Sequence, residues 1–288
     1  MVKIVLSTQL FVSLVLIAGM SVAAGLSHAE DIRLIIRGDD LGMTQGSLVA
    51  FEEAMNNGVL NCCSLQPASP WFVGAAELCN QNPGWCVGIH LTLVGEWQGY
   101  RWRPVLPWDE VSSIVDEDGF LYTSPKEMNA HNPDPDDIIK ELRAQIDLAL
   151  KYGVDVQYLD NHYFGVPKDI VDQLGEEYNL PVSQRFGEKD FKGIYNTPPD
   201  QKIEEAVRQI ENLTEPGLYL WYCHPGIDSP EQNALIHTSV EDIFARDGVG
   251  PHRTAVTKTL TSIDLKSAIM RKGIKLTTYR DIWEEQNK

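Results

Sequence analysis

Two adjacent carboxylates, Asp39 and Asp40, follow an apolar run at residues 34–36, after Arg37 and Gly38. The apolar run predicts a short buried strand, and Gly42 permits a tight turn before a helix that Thr44 can cap. Two like charges side by side repel each other, so the pair is costly unless a cation or a proton is shared there. We therefore hypothesise that one carboxylate holds a metal ion and that the other moves a proton.

Histidines stand at the ends of three further apolar segments. They are His90, His162 and His224, and Asp160 precedes His162 by two residues. Since the carboxyl ends of the strands in a parallel barrel open on one face, we expect these side chains to converge with the acidic pair. One carboxylate and two imidazoles form a ligand set for zinc or a similar divalent ion and leave positions open for water. The sequence thus predicts a site for one divalent metal ion.

The remaining histidines and the cysteines add nothing to this predicted site. His131, His237 and His252 fall in predicted loops or at helix edges, and we interpret them as solvated. The five cysteines include no C-x-x-C spacing, which argues against a cysteine zinc site. Cys79 and Cys86 flank an N-P-G turn, and the sequence leaves open whether they form a disulfide or stay free.

Segments typical of strands alternate with segments of helical periodicity about seven times along the chain, without an internal repeat. The predicted strands are 34–36, 59–65, 86–93, 154–159, 180–183, 217–223 and 274–277. The predicted helices are 44–57, 71–78, 134–150, 167–178, 201–212 and 262–272. Alternation of this kind favours a parallel sheet with helices outside it. Because no linker-like segment interrupts the pattern, we expect one α/β domain over residues 30–288, a closed or nearly closed barrel.

The first 29 residues have the pattern of a secretory signal peptide. Lys3 is their only charged side chain, residues 4–26 are largely apolar, and residues 27–29 offer the small side chains of a cleavage site. We predict cleavage near Ala29 and export to the periplasm or the extracellular space. An uncleaved anchor is the alternative, because the apolar run approaches the length of a membrane span. No other stretch predicts a span.

The composition limits the class of partner. The chain has 288 residues, 43% of them hydrophobic, and a formal net charge of −17 at pH 7. The apolar fraction permits a sizeable core, and the negative charge argues against a nucleic-acid partner. The sequence leaves homo-oligomerisation open.

The motifs around the candidate residues are similar to those of the YdjC-like carbohydrate deacetylases, which are relatives of the polysaccharide deacetylases. The family opens with N-A-D-D-F-G, and residues 37–42 read R-G-D-D-L-G. Further similarities are G-x-H-L at 88–91, D-N-H at 160–162 where the family has D-S-H, C-H-P-G at 223–226, and the closing segment 273–279. The resemblance covers about residues 31–283.

This resemblance implies a distorted parallel (β/α) barrel of about seven strands. It implies a single divalent metal ion, zinc or magnesium, held by Asp40, His90 and His162. It further implies that Asp39 is the catalytic base and that His224 is a candidate acid. The implied reaction is the hydrolysis of an N-acetyl group on an amino sugar, and the implied partner is an N-acetylated carbohydrate.

The residues that would contact a sugar are less well defined. The irregular segment 94–133 contains Trp97, Tyr100, Trp102 and Trp108. Loops of this length in compact domains are usually functional, and these rings could stack on sugars, with Trp97 and Trp102 as candidates. Alternatively, the aromatic residues pin the loop to the barrel. Arg185 either contacts the substrate or pairs with an acidic neighbour.

The chain departs from the family pattern at two places. Arg37 stands where the family usually has Asn, and Tyr163 and Phe164 stand where members often carry further histidines. We expect the metal ligands to be retained and the substrate contacts to differ. Asp160 is expected to orient a histidine, either His162 or the more distant His224, by accepting a hydrogen bond.

Two other functions are compatible with the sequence. The same site could hydrolyse another ester or amide, because the ligands do not encode the acyl donor. Alternatively, the chain could be an exported carbohydrate-binding protein without catalysis. The intact acidic pair argues against the second alternative, because a binding module does not need a base beside a metal ion.

Overall fold

The computed structural model describes residues 31–238 and 244–288. The predicted signal peptide, residues 1–29, lies outside the described residues. The strands are β1 (Ile32–Leu41), β2 (Cys62–Leu65), β3 (Cys86–Leu91), β4 (Trp97–Gln98), β5 (Val156–Asn161), β6 (Lys189–Asp190), β7 (Gly217–Cys223), β8 (Ile236–His237) and β9 (Lys275–Leu276). The helices are α1 (Gln45–Asn57), α2 (Phe72–Gln81), α3 (Pro125–Ala130), α4 (Pro135–Lys151), α5 (Lys168–Tyr178), α6 (Lys202–Asn212), α7 (Pro230–Asn233), α8 (Phe244–Asp247), α9 (Val249–Thr261), α10 (Ile263–Arg271) and α11 (Tyr279–Gln286).

A parallel sheet of seven strands forms the centre of the fold, in the order β5-β3-β2-β1-β7-β6 with β9 beside the start of β1. A parallel bridge between Leu159 and Val182 extends the sheet beyond β5. In the described part of the chain, no ladder joins β6 to the segment at Val182, so the barrel is open at that position. The α/β class and the parallel sheet of about seven strands are confirmed.

The sheet buries side chains on both faces. One small cluster collects inward side chains of five strands, and α11 covers it: Ile35, Cys62, Cys86, Tyr158 and Leu220 with Tyr279 and Ile282. The larger cluster lies between the other face and the surrounding helices, and it includes Leu34, Ile36 and Phe51. Alternate residues of β1 therefore face different cores, as the two-residue repeat of a strand requires.

Local sequence signals set most helix boundaries. Thr44 caps α1 by accepting a hydrogen bond from the backbone N–H of Ser47, Asp134 caps α4 ahead of Pro135, and Ser262 caps α10. Such side chains satisfy backbone donors that have no partner inside the helix. The six predicted helices are confirmed, with boundaries that differ by at most a few residues.

Several elements were not predicted, and α9 matters most for the site. Its buried residues lie on most sides of the helix, so its sequence lacks the single apolar stripe that predicts an amphipathic helix. His252 on α9 is only 4% exposed, so the interpretation of this histidine as solvated was wrong. The short strands β4, β6 and β8 are two residues each and carry too little periodicity to predict.

All five cysteines are buried and free, so Cys79 and Cys86 do not form a disulfide in this structure. Cys86 on β3 instead lies in register with Cys62 on β2. Among the described residues, no helix combines the length and the apolar character needed to cross a membrane.

Candidate functional site

The conformation at the end of β1 brings two neighbouring carboxylates to one place. In a regular strand, successive side chains point to opposite faces. Asp40 has a φ of 70°, and the pairing of β1 with β2 shifts register between Gly38 and Leu41. Oxygen atoms of Asp39 and Asp40 consequently both lie within 4.8 Å of ring nitrogens of His90.

Three buried side chains direct one polar atom each at a common point. Asp40 Oδ1 lies 3.4 Å from His90 Nε2 and 3.5 Å from His162 Nδ1, and the two nitrogens are 3.1 Å apart. Tetrahedral zinc with bonds near 2.1 Å requires ligand atoms roughly 3.4 Å apart. The three residues that the resemblance implied as metal ligands are thus brought together in a geometry that fits a divalent ion.

The second nitrogen of each imidazole is held by a carboxylate. Asp160 Oδ2 lies 2.9 Å from His90 Nδ1, and Glu96 Oε2 lies 2.9 Å from His162 Nε2. A carboxylate in this position fixes the orientation and tautomer of a metal-binding histidine. Asp160 therefore does orient a histidine, but its partner is His90 rather than His162 or His224. The carboxylate partner of His162 is Glu96, which was not predicted.

Asp40 is held in a comparable way by α9. Arg253 Nη2 donates a 2.8 Å hydrogen bond to Asp40 Oδ2, while Oδ1 is buried without a hydrogen-bond partner. A buried carboxylate oxygen without a partner is costly, and coordination of a cation would satisfy it. The orphaned oxygen is the one that faces the two imidazoles, which supports a cation site at this point.

The buried charges of the cluster do not balance when its imidazoles are neutral. Four buried carboxylates face two buried guanidinium groups: Asp39, Asp40, Glu96 and Asp160 against Arg37 and Arg253. A divalent cation would neutralise the remaining two negative charges. Without it, protons take that place. Burial lowers the pKa of both histidines, but the neighbouring carboxylates outweigh it. Asp160 and Asp39 raise the pKa of His90 to about 10. Glu96 and Asp40 raise the pKa of His162 to about 9.

Two hydrogen bonds from Arg37 fix the orientation of the Asp39 carboxylate. Arg37 donates from Nε to Asp39 Oδ1 at 2.6 Å and from Nη2 to Oδ2 at 2.7 Å, and Nη2 also lies 3.2 Å from Asp160. Burial lowers the pKa of Arg37, but Asp160 and Asp39 raise it well above its usual value. A second group of possible ligands, Asp39, His90 and Asp160, lies close together, but the Arg37 cation already occupies the space between its carboxylates.

A cavity of about 790 Å³ opens above these residues. Asp39, His90, His162 and His224 line it, so the candidate acid lies in the same cavity as the candidate base. Burial lowers the pKa of His224 more than the nearby carboxylates raise it. Arg185 also lines the cavity, and its Nε donates a 2.7 Å hydrogen bond to Asp172. The acidic neighbour considered for Arg185 is therefore present.

The two tryptophans predicted to bind sugar are buried. Trp102 is 1% exposed, its ring lies 5.5 Å from that of His162, and it does not line the cavity. Trp97 is also 1% exposed, although it contributes to the cavity wall and contacts Arg253 at 5.4 Å. Neither ring offers an open face to a sugar, so the structure supports the alternative in which they pin the long loop to the barrel.

Other aromatic side chains are exposed at the cavity instead. Tyr163, Tyr195 and Tyr222 line it and are 42%, 43% and 38% exposed. His237 lines it too and packs edge-on against Trp97 at 5.4 Å, so it is not merely solvated, whereas His131 is exposed as predicted. Tyr163 directly follows the predicted ligand His162, and Tyr222 precedes the Cys223-His224 pair by one position, so nearness to these motifs was the sequence signal that could have identified tyrosines at the site.

The comparisons with known proteins agree with this arrangement. A family model described as YdjC-like protein matches residues 33–271. A carbohydrate deacetylase of Enterococcus faecalis is 27% identical over 273 residues, which cover 87% of this chain and 98% of the relative. Carbohydrate deacetylase 1 of Listeria innocua is 30% identical over 266 residues, which cover 87% of this chain and 100% of the relative.

A solved structure has a similar fold. It is the crystal structure of a candidate cellobiose-phosphate cleavage protein from Enterococcus faecalis, with a TM-score of 0.68 and 24% sequence identity. The match covers 88% of this chain and 99% of that chain. The likeness therefore extends over the whole barrel.

Proposed function

The chain belongs to the YdjC-like protein family, and on this premise we propose that it is a metal-dependent carbohydrate deacetylase. The proposed reaction is hydrolysis of an N-acetyl group on an amino sugar, which yields acetate and a free amine. The observation that carries the proposal is the convergence of Asp40 Oδ1, His90 Nε2 and His162 Nδ1 within 3.5 Å of one another, beside Asp39. Relatives named carbohydrate deacetylase support the choice of substrate class.

Asp40, His90 and His162 would hold the metal ion. When bound there, a divalent ion would polarise the acetyl carbonyl and make water a stronger nucleophile near neutral pH. The protein contributes ligand orientation through Asp160 and Glu96, which fix the two imidazoles.

Asp39 is placed to accept the proton that water releases as it adds to the carbonyl carbon. Its carboxylate lines the cavity, and the two hydrogen bonds from Arg37 hold it in one orientation. The C–N bond then breaks, and the leaving amine requires a proton. We assign this donation to His224. Burial lowers the pKa of His224, so its imidazole takes up a proton from solvent before this donation, and Asp39 returns the proton it accepted to solvent afterwards.

The test is acetate release from N-acetylated oligosaccharides by the metal-loaded and the chelator-treated protein. We expect the chelator to abolish activity and zinc or magnesium to restore it. Asp40→Asn should lose both metal and activity, whereas Asp39→Asn should keep the metal and lose kcat by about 100-fold or more. Asp155→Asn is the matched control, because Asp155 is exposed and pairs with Arg280.

Full activity in a preparation shown by element analysis to be metal-free would contradict the proposal. A panel of other acetylated esters and amides distinguishes a carbohydrate deacetylase from a hydrolase with another acyl donor. Sugar binding without acetate release, unchanged in Asp39→Asn, would instead indicate a binding protein without catalysis.

We also propose that the protein is exported, on the basis of the signal-like composition of residues 1–29. The mature protein in a cell fraction outside the cytoplasm should then begin at Glu30. Mass spectrometry of the N-terminal peptide tests this, and an intact Met1 in that fraction would favour the uncleaved anchor.

A further inference from the structure

Two buried tyrosines pack against each other beneath the candidate site. Tyr158 on β5 and Tyr279 at the start of α11 are both 0% exposed, and their ring centroids are 4.6 Å apart. Each hydroxyl forms a hydrogen bond with a buried serine, Tyr158 with Ser64 at 2.8 Å and Tyr279 with Ser183 at 2.5 Å. The two serines lead to different parts of the site.

The chain of contacts from Tyr279 ends at the candidate base. Arg37 Nη1 donates a 2.7 Å hydrogen bond to Ser183 Oγ, and the same guanidinium donates two hydrogen bonds to Asp39. Ser183 and Asp39 thus fix different edges of one planar group. Because a guanidinium is rigid, a shift of Ser183 would change the position and angle of the Asp39 carboxylate.

The chain of contacts from Tyr158 ends at a metal ligand. Ser64 donates a 3.1 Å hydrogen bond to Asp160 Oδ2, and the same oxygen lies 2.9 Å from His90 Nδ1. Since the single hydroxyl proton of Ser64 is directed at Asp160, the Tyr158 hydroxyl must donate to Ser64. Tyr158 therefore helps to fix the carboxylate that orients His90.

The glycine of the G-x-H-L segment is required for this arrangement. A Cβ atom on Gly88 would lie 2.3 Å from the Tyr158 ring, closer than any contact a side chain tolerates. His90 follows two residues later on the same strand, β3. The strand that supplies the ligand thus also makes room for the tyrosine that supports it.

We propose that the tyrosine pair positions the two halves of the site separately. Tyr279 acts through Ser183 and Arg37 on Asp39, and Tyr158 acts on His90. Both are positioning residues that do not touch the cavity. The inference rests on the proposed function, since it assigns one chain to the base and the other to the metal. The chains also meet where Arg37 Nη2 lies 3.2 Å from Asp160, the longest contact of the set.

The experiment removes one hydroxyl at a time, in Tyr279→Phe and Tyr158→Phe. Tyr178→Phe is the control, because its hydroxyl bonds Asp147 on the surface, away from the cavity. The readouts are kcat and KM for acetate release at saturating metal, zinc affinity by competition with a chelator, and hydrogen exchange at the Arg37 Nε–H by NMR. The last two readouts do not require activity.

We expect the effects to separate. Tyr279→Phe should lower kcat by about two- to tenfold, the value of one hydrogen bond, and accelerate exchange at Arg37 while zinc affinity stays unchanged. Tyr158→Phe should weaken zinc binding by about tenfold and regain most of kcat when metal is in excess. Ser183→Ala and Ser64→Ala should reproduce the two patterns, and Tyr178→Phe should match the wild type.

The proposal is overturned if both tyrosine variants have a lower Tm while kcat, zinc affinity and exchange at Arg37 stay unchanged. It is also overturned if both variants change kcat and zinc affinity to the same extent. If the wild-type protein releases no acetate from any substrate, the proposed function fails, but zinc affinity and Arg37 exchange still decide the positioning roles. Unchanged zinc affinity in Tyr158→Phe together with unchanged exchange in Tyr279→Phe would then reject them.

Discussion

At the scale of single residues, the chemistry of the site depends on which oxygen of Asp40 is free. Arg253 binds Oδ2, so Oδ1 alone faces His90 and His162. Arg253 also contributes one of only two buried positive charges in a cluster with four buried carboxylates. Arg253 therefore orients the Asp40 carboxylate without neutralising the cluster. Two negative charges remain, and a divalent cation or protons must balance them.

This balance predicts that metal affinity depends on pH. In the metal-free protein the raised pKa values, about 10 for His90 and about 9 for His162, keep both imidazoles protonated near pH 7. Each must lose its proton to bind a metal, so affinity should rise as pH increases and level off above about pH 10. Calorimetry in buffers with different ionisation enthalpies should show that proton release accompanies binding.

The same shifts change the stability of the metal-free fold in the opposite direction. A histidine whose pKa is raised by folding stabilises the native state fully below its unfolded value, near 6.5, and this contribution is lost as pH rises toward 9 and 10. The affinity prediction has its own contradicting outcome. Zinc affinity that stays constant between pH 6 and 9 would contradict the assignment of His90 and His162 as metal ligands.

At the scale of elements, the irregular segment after β3, rather than a strand of the barrel, supplies the carboxylate partner of His162. Glu96 precedes β4, and its backbone carbonyl accepts a hydrogen bond from Thr238 after β8. The pairing of β4 with β8 thus fixes the loop that delivers Glu96 to His162. The loop is held by the burial of Trp97 and Trp102, which explains why these aromatic residues are not free to bind a ligand.

Glu96→Gln tests this contribution. Glutamine keeps the size of the side chain but removes the charge that orients His162, so zinc affinity should fall by about 10- to 100-fold. Chelator competition measures the affinity, and Glu110→Gln, an exposed position in the same irregular segment, is the control. Equal affinities in the two variants would show that Glu96 does not support the ligand.

At the scale of the whole molecule, folding gathers like charges that a bound cation or protons must balance. The chain has a formal net charge of −17, and the candidate site adds a local excess of carboxylates inside the barrel. A ligand that binds only the native state stabilises it according to its concentration, by about 2.7 kcal/mol at 100 times Kd. Metal binding and the stability of the barrel are therefore expected to be linked.

Thermal unfolding with and without metal measures this linkage. Tm should rise with zinc concentration in the wild-type protein and fall when a chelator is added. Asp40→Asn should show no response to zinc, because it lacks the charged oxygen that faces the imidazoles. A wild-type Tm that is independent of zinc would count against a metal site in the native fold.

The sequence by itself determined the features that depend on local interactions. The caps at Thr44, Asp134 and Ser262 and the apolar runs of β1 and β7 predicted most elements, because caps and strand patterns act within a few residues. The acidic pair and the histidines were recognisable for the same reason, since each lies near the end of an apolar run. The parallel sheet followed from the alternation of these elements.

Only the tertiary structure decided which groups support the candidate site. Glu96 lies 66 residues before His162, and Arg253 lies 213 residues after Asp40. Neither occupies a position with a recognisable sequence pattern. The same holds for the contact of Tyr279 with Ser183, 96 residues apart. Such pairings depend on how the loops and α11 pack on the barrel, and packing is a property of the whole chain rather than of any short segment.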